Sequence, residues 1–130
     1  MILELSIGMS YTLIMIKRTL TSKIKELSSL YPVIAITGPR QSGKTTLAKE
    51  IFPNYLYLNL ENPDLLAAAR EDPRNFLRLG TGQKIIVDEI QKLPTLFSYI
   101  QVEVDELKIP GQFIITGSQQ FELSEKISQS

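Results

Sequence analysis

The chain of 130 residues contains no cysteine and no histidine. Without cysteine it can form neither disulfides nor thiolate metal sites, and this absence suits a reducing compartment, so we expect a cytoplasmic protein. Without histidine, serine–histidine triads, histidine general bases and histidine–zinc sites are excluded. Any acid–base chemistry must therefore use carboxylates, lysine, tyrosine or water.

The chain also lacks an excess of either charge, because 14 basic and 14 acidic residues cancel. A protein that binds nucleic acid by counterion release usually carries a basic excess, so the composition does not support a nucleic-acid partner. The 43% hydrophobic content is ordinary for a globular protein, and the length suits one compact domain.

The N-terminal apolar stretch, residues 7–16, is too short for a membrane-spanning helix, which needs about 20 apolar residues. No basic segment precedes it, as one would in a signal peptide, and we expect no membrane partner. Met15 leads directly into an amphipathic helix. We therefore predict that Met15 is the natural start and that residues 1–14 are an upstream extension; the alternative is an extra strand or helix packed on the core.

Strand-like and helical patterns alternate along the rest of the chain, which predicts an α/β fold with a parallel sheet. Continuous apolar runs, typical of strands covered on both faces, occur at residues 33–36, 85–87 and 113–115. Residues 55–60 alternate instead, which predicts a strand buried on one side only, near a sheet edge. Helices are predicted over residues 16–30, 44–51, 64–70 (capped by Asp64), 73–79, 94–107 and 119–128.

The turn after the first of these strands matches the phosphate-binding pattern G-x-x-x-x-G-K-[ST] in full, as Gly38-Pro39-Arg40-Gln41-Ser42-Gly43-Lys44-Thr45. Glycines allow the backbone to aim its N–H groups inward as an anion nest, and the helix N-terminus adds further donors. Lys44 supplies a cation for the β- and γ-phosphates, and Thr45 a hydroxyl ligand for Mg²⁺. Thr46 would reach the α-phosphate, while Arg40 is expected to face solvent.

Acidic and hydroxyl residues close the two later buried strands. Because the carboxyl ends of parallel strands meet at one edge, Asp88 would hold Mg²⁺ beside the phosphates, and Glu89 would orient and polarise the attacking water. Thr116 or Ser118 would touch the γ-phosphate or that water; the alternative is a plain turn.

The remaining polar and aromatic candidates carry weaker signals. Glu61 is interpreted mainly as a turn residue, with a role in the site as the alternative. Tyr55, Tyr57 and Tyr99 are interpreted as packing residues rather than as residues that stack on a base.

At these residues the sequence resembles the N-terminal part of an AAA+-type ATPase family of bacteria and archaea, whose members usually continue into a C-terminal domain of unknown function. The resemblance covers most of residues 17–130, through the stretches AITGPRQSGKTTLAKEIFPNYLYLNLENPD, KIIVDEIQKLPTLFSYIQVEVDE and QFIITGSQQFELSEKISQS. It implies that residues 15–130 are the N-terminal part of an ATP-binding domain, incomplete at its C-terminus.

The resemblance also implies roles and an arrangement. The strand 113–115 should lie between the P-loop strand and the strand that ends at Asp88. The resemblance implies that Lys44 and Thr45 bind phosphate and metal and that Asp88 binds the metal. Glu89 would be the catalytic carboxylate, and Thr116 or Ser118 the sensor.

Relatives continue beyond the point where this sequence stops, so a fifth core strand, a lid and an arginine finger are not identifiable here. An arginine finger supplies about 10³–10⁵ in rate. We therefore expect ATP and Mg²⁺ binding with weak turnover, with the C-terminal domain and a homo-oligomer as candidate partners. The alternatives are a small-molecule kinase and a nucleotide-gated interaction module without turnover. ATP is preferred to GTP because no guanine-specifying N-K-x-D sequence is present.

Overall fold

A computed structural model describes residues 2–4, 13–39, 42–80 and 82–118, with side chains from residue 18 onward. Its five strands all pair in parallel, in the order β1-β2-β5-β4-β3. They are β1 (Ile2–Glu4), β2 (Val33–Thr37), β3 (Leu56–Asn59), β4 (Ile85–Asp88) and β5 (Phe113–Gly117).

Five α-helices connect the strands within the described residues. They are α1 (Leu13–Leu30), α2 (Lys44–Ile51), α3 (Pro63–Glu71), α4 (Pro73–Leu77) and α5 (Leu96–Leu107). A short 3₁₀ helix, Ile90–Lys92, follows β4 and was not predicted. In the part of the chain that is described, no helix is both long and apolar enough to cross a bilayer.

The three central strands are buried on both faces, which confirms the interpretation of the continuous apolar runs. Ile34 and Ile114 pack with Ile24 of α1 and Leu47 of α2 on one face of the sheet. The alternate residues of the same strands, such as Ile115, pack against α3, α4 and α5 on the other face. Burial on both sides explains why these runs contain no polar residue before the strand ends.

The predicted strand order is confirmed, since β5 lies between β2 and β4, and β3 lies at an edge. The prediction that this edge strand is buried on one side only was wrong. Leu58 is buried in one core cluster, but Tyr55 and Tyr57 are partly buried against the other. Helix α2 reaches far enough along the sheet to cover the tyrosine face, because Phe52 at its end contacts the ring of Tyr55.

Several helix boundaries also differ from the prediction: α1 begins at Leu13 and not at residue 16, and α5 begins at Leu96 and not at residue 94. Asn62, and not Asp64, caps α3, because its side-chain oxygen accepts from the N–H groups of Asp64 and Leu65 at 2.9 and 3.4 Å. Pro63 occupies the first helical position, where its missing N–H costs nothing. Helix α4 ends at Leu77 and not near residue 79.

Two predictions concern the ends of the chain. The helix predicted over residues 119–128 lies outside the described residues. At the N-terminus, β1 pairs with β2 through Ile2↔Ala35 to Glu4↔Thr37. Residues 2–4 therefore form an extra strand of the sheet, as the alternative interpretation of residues 1–14 described. The start at Met15 stays a prediction.

Candidate functional site

The carboxyl ends of β2, β4 and β5 meet at one edge of the sheet, and the loop between β2 and α2 lies there. The N–H of Gly38 donates to Gly117 O of β5 at 3.2 Å, which fixes the start of the loop. At the other end, Gly43 has φ +85°, and a Cβ atom on it would meet nothing within 4 Å. The backbone angle, and not lack of space, therefore requires glycine at this position. Arg40 and Gln41 lie outside the described residues.

Lys44 begins α2 and is only 3% exposed. Its Nζ donates to Pro39 O at 3.3 Å and lies 3.9 Å from Glu89 Oε1. The loop thus folds back over the lysine side chain and holds its ammonium group at the strand ends. The side-chain oxygen of Ser42 is buried and without a hydrogen-bond partner. A buried cation and an unsatisfied hydroxyl two residues apart in the chain suit a polyphosphate anion, which can accept from both.

Asp88, the last residue of β4, is 3% exposed and accepts hydrogen bonds from three hydroxyl groups. The Thr45 hydroxyl lies 3.0 Å from both carboxylate oxygens. The Thr116 hydroxyl donates to Oδ1 and the Tyr57 hydroxyl to Oδ2. These hard oxygen donors fit Mg²⁺, which usually takes one or two carboxylates and completes its coordination with water and phosphates. No group of three acidic side chains that could hold a metal by itself occurs among the described residues.

Glu89 follows Asp88 with a left-handed backbone, φ 63° and ψ 49°, which costs a non-glycine residue roughly 1–2 kcal/mol. Its N–H donates to the Thr116 hydroxyl at 3.0 Å, so this turn is tied to β5. Its carboxylate accepts from Gln91 Nε2 and faces Lys44, and the residue is 8% exposed. The turn thus keeps a second carboxylate at the strand ends beside Asp88.

Some of the residues with weaker sequence signals lie at the strand ends beside Asp88 and Glu89, and others lie outside the site. Thr116 contacts both Asp88 and Glu89, whereas Ser118 joins through its N–H, which donates to Gln91 Oε1 at 3.2 Å. Thr46 is exposed on α2. Glu61 is exposed after the end of β3, although its negative charge helps to raise the pKa of Tyr57.

The sequence did not predict a place in the site for two residues, Tyr57 and Gln91. Tyr57 packs on the core as predicted, but its hydroxyl also reaches Asp88. Burial, the hydrogen bond to Asp88 and the charges of Asp88, Glu89 and Glu61 all raise the Tyr57 pKa above its usual value. The register Asn59↔Asp88 creates this contact, and no local pattern specifies a register between strands. For Gln91 the sequence pattern carried no separate signal.

The sequence of the chain is similar to sequences of known proteins. Two curated uncharacterized proteins, one from Mycobacterium bovis and one from Mycobacterium tuberculosis, are each 35% identical to the chain over 105 residues. The match covers 78% of this chain but 23% of each relative, so the chain spans about a quarter of the relatives' length. No solved structure matches the chain.

A family model described as "AAA domain" matches residues 30–130, which include every strand from β2 to β5 and the whole phosphate-binding pattern. The parallel α/β sheet with its loop at the carboxyl edge has the architecture of a P-loop nucleotide-binding domain of this type. The family that the sequence resembles is thereby confirmed: the chain belongs to the AAA domain family.

Proposed function

We propose that this chain binds ATP with Mg²⁺ through the loop Gly38 to Thr45, and that the longer protein hydrolyses ATP to drive a conformational switch. One observation carries the proposal: the Thr45 hydroxyl meets the Asp88 carboxylate at 3.0 Å, directly beside the buried Lys44. The first turn of α2 supplies the cation and the Thr45 oxygen, and the end of β4 supplies the Asp88 carboxylate, at the edge of the sheet where the loop lies.

Each residue has a distinct role in binding. The N–H groups of the loop and of the first turn of α2 bind phosphate oxygens, and Lys44 binds the β- and γ-phosphates as a point charge. Thr45 and Asp88 would hold Mg²⁺, which neutralises charge on the phosphates when bound. Thr46, one residue further along α2, would bind the α-phosphate.

In the longer protein, Glu89 orients and polarises the water that attacks the γ-phosphate. Its left-handed backbone aims the side chain back toward Lys44. Thr116 supports this turn from β5, since its hydroxyl accepts from the Glu89 N–H and donates to Asp88. Ser118 lies at the end of the same strand, where a γ-phosphate contact would report hydrolysis. We propose weak turnover for the 130-residue chain, because no arginine finger is identified in it.

The proposal also covers partners. The C-terminal part of the longer protein would receive the conformational change, and a second copy of the same protein is the other partner that we propose. We propose a cytoplasmic location.

Calorimetry with ATP, ADP and GTP, each with and without Mg²⁺, tests the binding proposal. Removing a charge-assisted hydrogen bond costs about 1.5–3 kcal/mol, so Lys44→Ala should weaken ATP binding roughly 10- to 100-fold. Lys84→Ala is the matched control, since Lys84 is exposed at the opposite end of β4. Equal affinity of the parent and Lys44→Ala, or no heat with any triphosphate, would refute the proposal.

A further inference from the structure

The Asp88 carboxylate is held from both of its oxygens by side chains of the two neighbouring strands. Thr116 of β5 donates to Oδ1, and Tyr57 of β3 donates to Oδ2. The binding roles proposed above use Asp88 and Thr45 and give Tyr57 no part. The second donor nevertheless comes from the edge strand, 31 residues before Asp88 in the chain.

The Tyr57 hydroxyl is held in place by the surroundings of its ring. The ring packs against the core cluster formed with α1 and α2, and Lys49 Nζ of α2 lies 3.9 Å from the ring centroid. The backbone of Tyr57 pairs with Ile86, and that of Asn59 with Asp88. A tyrosine has only two side-chain torsions, so this packing fixes the hydroxyl well.

The orientation of Asp88 matters because Thr45 depends on it. The Thr45 hydroxyl donates its hydrogen bond to the Asp88 carboxylate, which leaves the lone pairs of its oxygen for a cation. Because Thr116 and Tyr57 each hold one of the two oxygens from a neighbouring strand, the plane of the carboxylate is set, and the direction of the Thr45 lone pairs is set with it. Loss of the Tyr57 hydroxyl would leave Thr116 as the one donor from the neighbouring strands that orients the carboxylate on which Thr45 depends.

We propose that Tyr57 is a positioning residue for the Mg²⁺ site, acting through Asp88 on Thr45. This inference rests on the proposed function. It assigns the edge strand a part in metal binding, so that the pairing of β3 with β4 and the formation of the Mg²⁺ site are coupled. Partners that orient metal ligands typically change metal affinity 10- to 100-fold.

Tyr57→Phe tests the proposal, because it keeps the ring, its packing and the Lys49 contact and removes only the hydroxyl. ATP binding would be measured by calorimetry over a range of Mg²⁺ concentrations and in EDTA. The Mg²⁺ concentration that gives half of the maximal change in ATP affinity should rise about 10-fold. This is the lower end of the 10- to 100-fold range, since the Thr116 hydroxyl remains on Asp88. ATP affinity in EDTA should stay within about twofold, because the phosphate contacts of the loop are untouched.

Tyr55→Phe is the matched control. Tyr55 precedes β3, and its hydroxyl donates to Gly111 O at 2.7 Å, away from Asp88. This variant loses one hydrogen bond of its own, so thermal melts can compare the two variants for stability. It should keep the parent's Mg²⁺ dependence. An equal change in the Mg²⁺ dependence of ATP affinity in both variants would overturn the proposal, since it would result from a general destabilisation of β3.

A double-mutant cycle with Asp88→Asn tests whether the effect passes through Asp88. In the Asp88→Asn background, Tyr57→Phe should cause no further change in Mg²⁺ dependence. Additive effects would contradict the route through Asp88.

The outcomes separate this inference from the proposed function. If the parent depends on Mg²⁺ and Tyr57→Phe keeps that dependence unchanged, only the role of Tyr57 fails. A parent that binds ATP equally with and without Mg²⁺, or binds no ATP, overturns the proposed function and this inference together.

Discussion

The hydroxyl of Thr45 lies 3.0 Å from both carboxylate oxygens of Asp88, although 43 residues separate the two in the sequence. Thr45 is in the first turn of α2, which follows β2, and Asp88 is the last residue of β4. The two strands are not neighbours, because β5 lies between them. The contact therefore spans β5 at the carboxyl edge, and it joins the phosphate-binding loop to the acidic strand end.

Replacement of Thr45 by valine should abolish most of the effect of Mg²⁺ on ATP affinity, because the side chain keeps its shape but loses its oxygen. Thr45→Ser keeps the hydroxyl and should restore the Mg²⁺ dependence to near the parent value. Thr19→Val, on the exposed surface of α1, controls for the substitution itself. Calorimetry at several Mg²⁺ concentrations measures the effect, and full Mg²⁺ dependence in Thr45→Val would remove Thr45 from the metal site.

Glu89→Gln should leave ATP affinity within about threefold of the parent and slow phosphate release. General-base catalysis typically contributes about 10²–10⁴ in rate, so we expect a loss of about 100-fold in single-turnover experiments with saturating Mg²⁺ and ATP. Separate measurement of affinity distinguishes this result from a loss of binding. A variant that releases phosphate as fast as the parent would show that Glu89 is not the catalytic carboxylate.

Gln91→Leu should also slow phosphate release at unchanged ATP affinity. The Gln91 amide donates to the Glu89 carboxylate and accepts from the Ser118 N–H at 3.2 Å, and leucine of similar size can do neither. Gln101→Leu, at a partly exposed position of α5, is the matched control. If Gln91→Leu and Gln101→Leu release phosphate equally fast, the link between Glu89 and the end of β5 has no part in turnover.

Gly111→Ala should destabilise the fold more than Gly82→Ala. Both glycines have positive φ, +66° and +79°, but only at Gly111 would a Cβ atom crowd its neighbours, at 2.9 Å from Ser28 O and from the Tyr55 hydroxyl. We expect about 1 kcal/mol for the backbone strain at Gly82, and about 1–3 kcal/mol more at Gly111 for overpacking. Urea unfolding of both variants measures the difference, and equal losses would contradict the crowding.

Much of the fold could be predicted from the sequence because its signals are local. The continuous apolar runs identified three buried strands, and α2 begins at Lys44 and ends at Ile51 as predicted. The cap of α3 was misassigned, since Asn62 and Asp64 are both good caps and only the extended backbone of Asn62, with Pro63 after it, decides between them. The order β2-β5-β4 came from the family resemblance and not from periodicity, because no local pattern states which strands pair.

The sequence by itself determined the phosphate-binding pattern from Gly38 to Thr45, the acidic pair at the end of β4 and the absence of histidine chemistry, since each depends on residue type and short spacing. Only the tertiary structure decided what contacts Asp88. Tyr57, Thr116 and Thr45 converge on its carboxylate from β3, β5 and α2. That convergence depends on strand register and on packing across the sheet, which are fixed by contacts between residues distant in the chain.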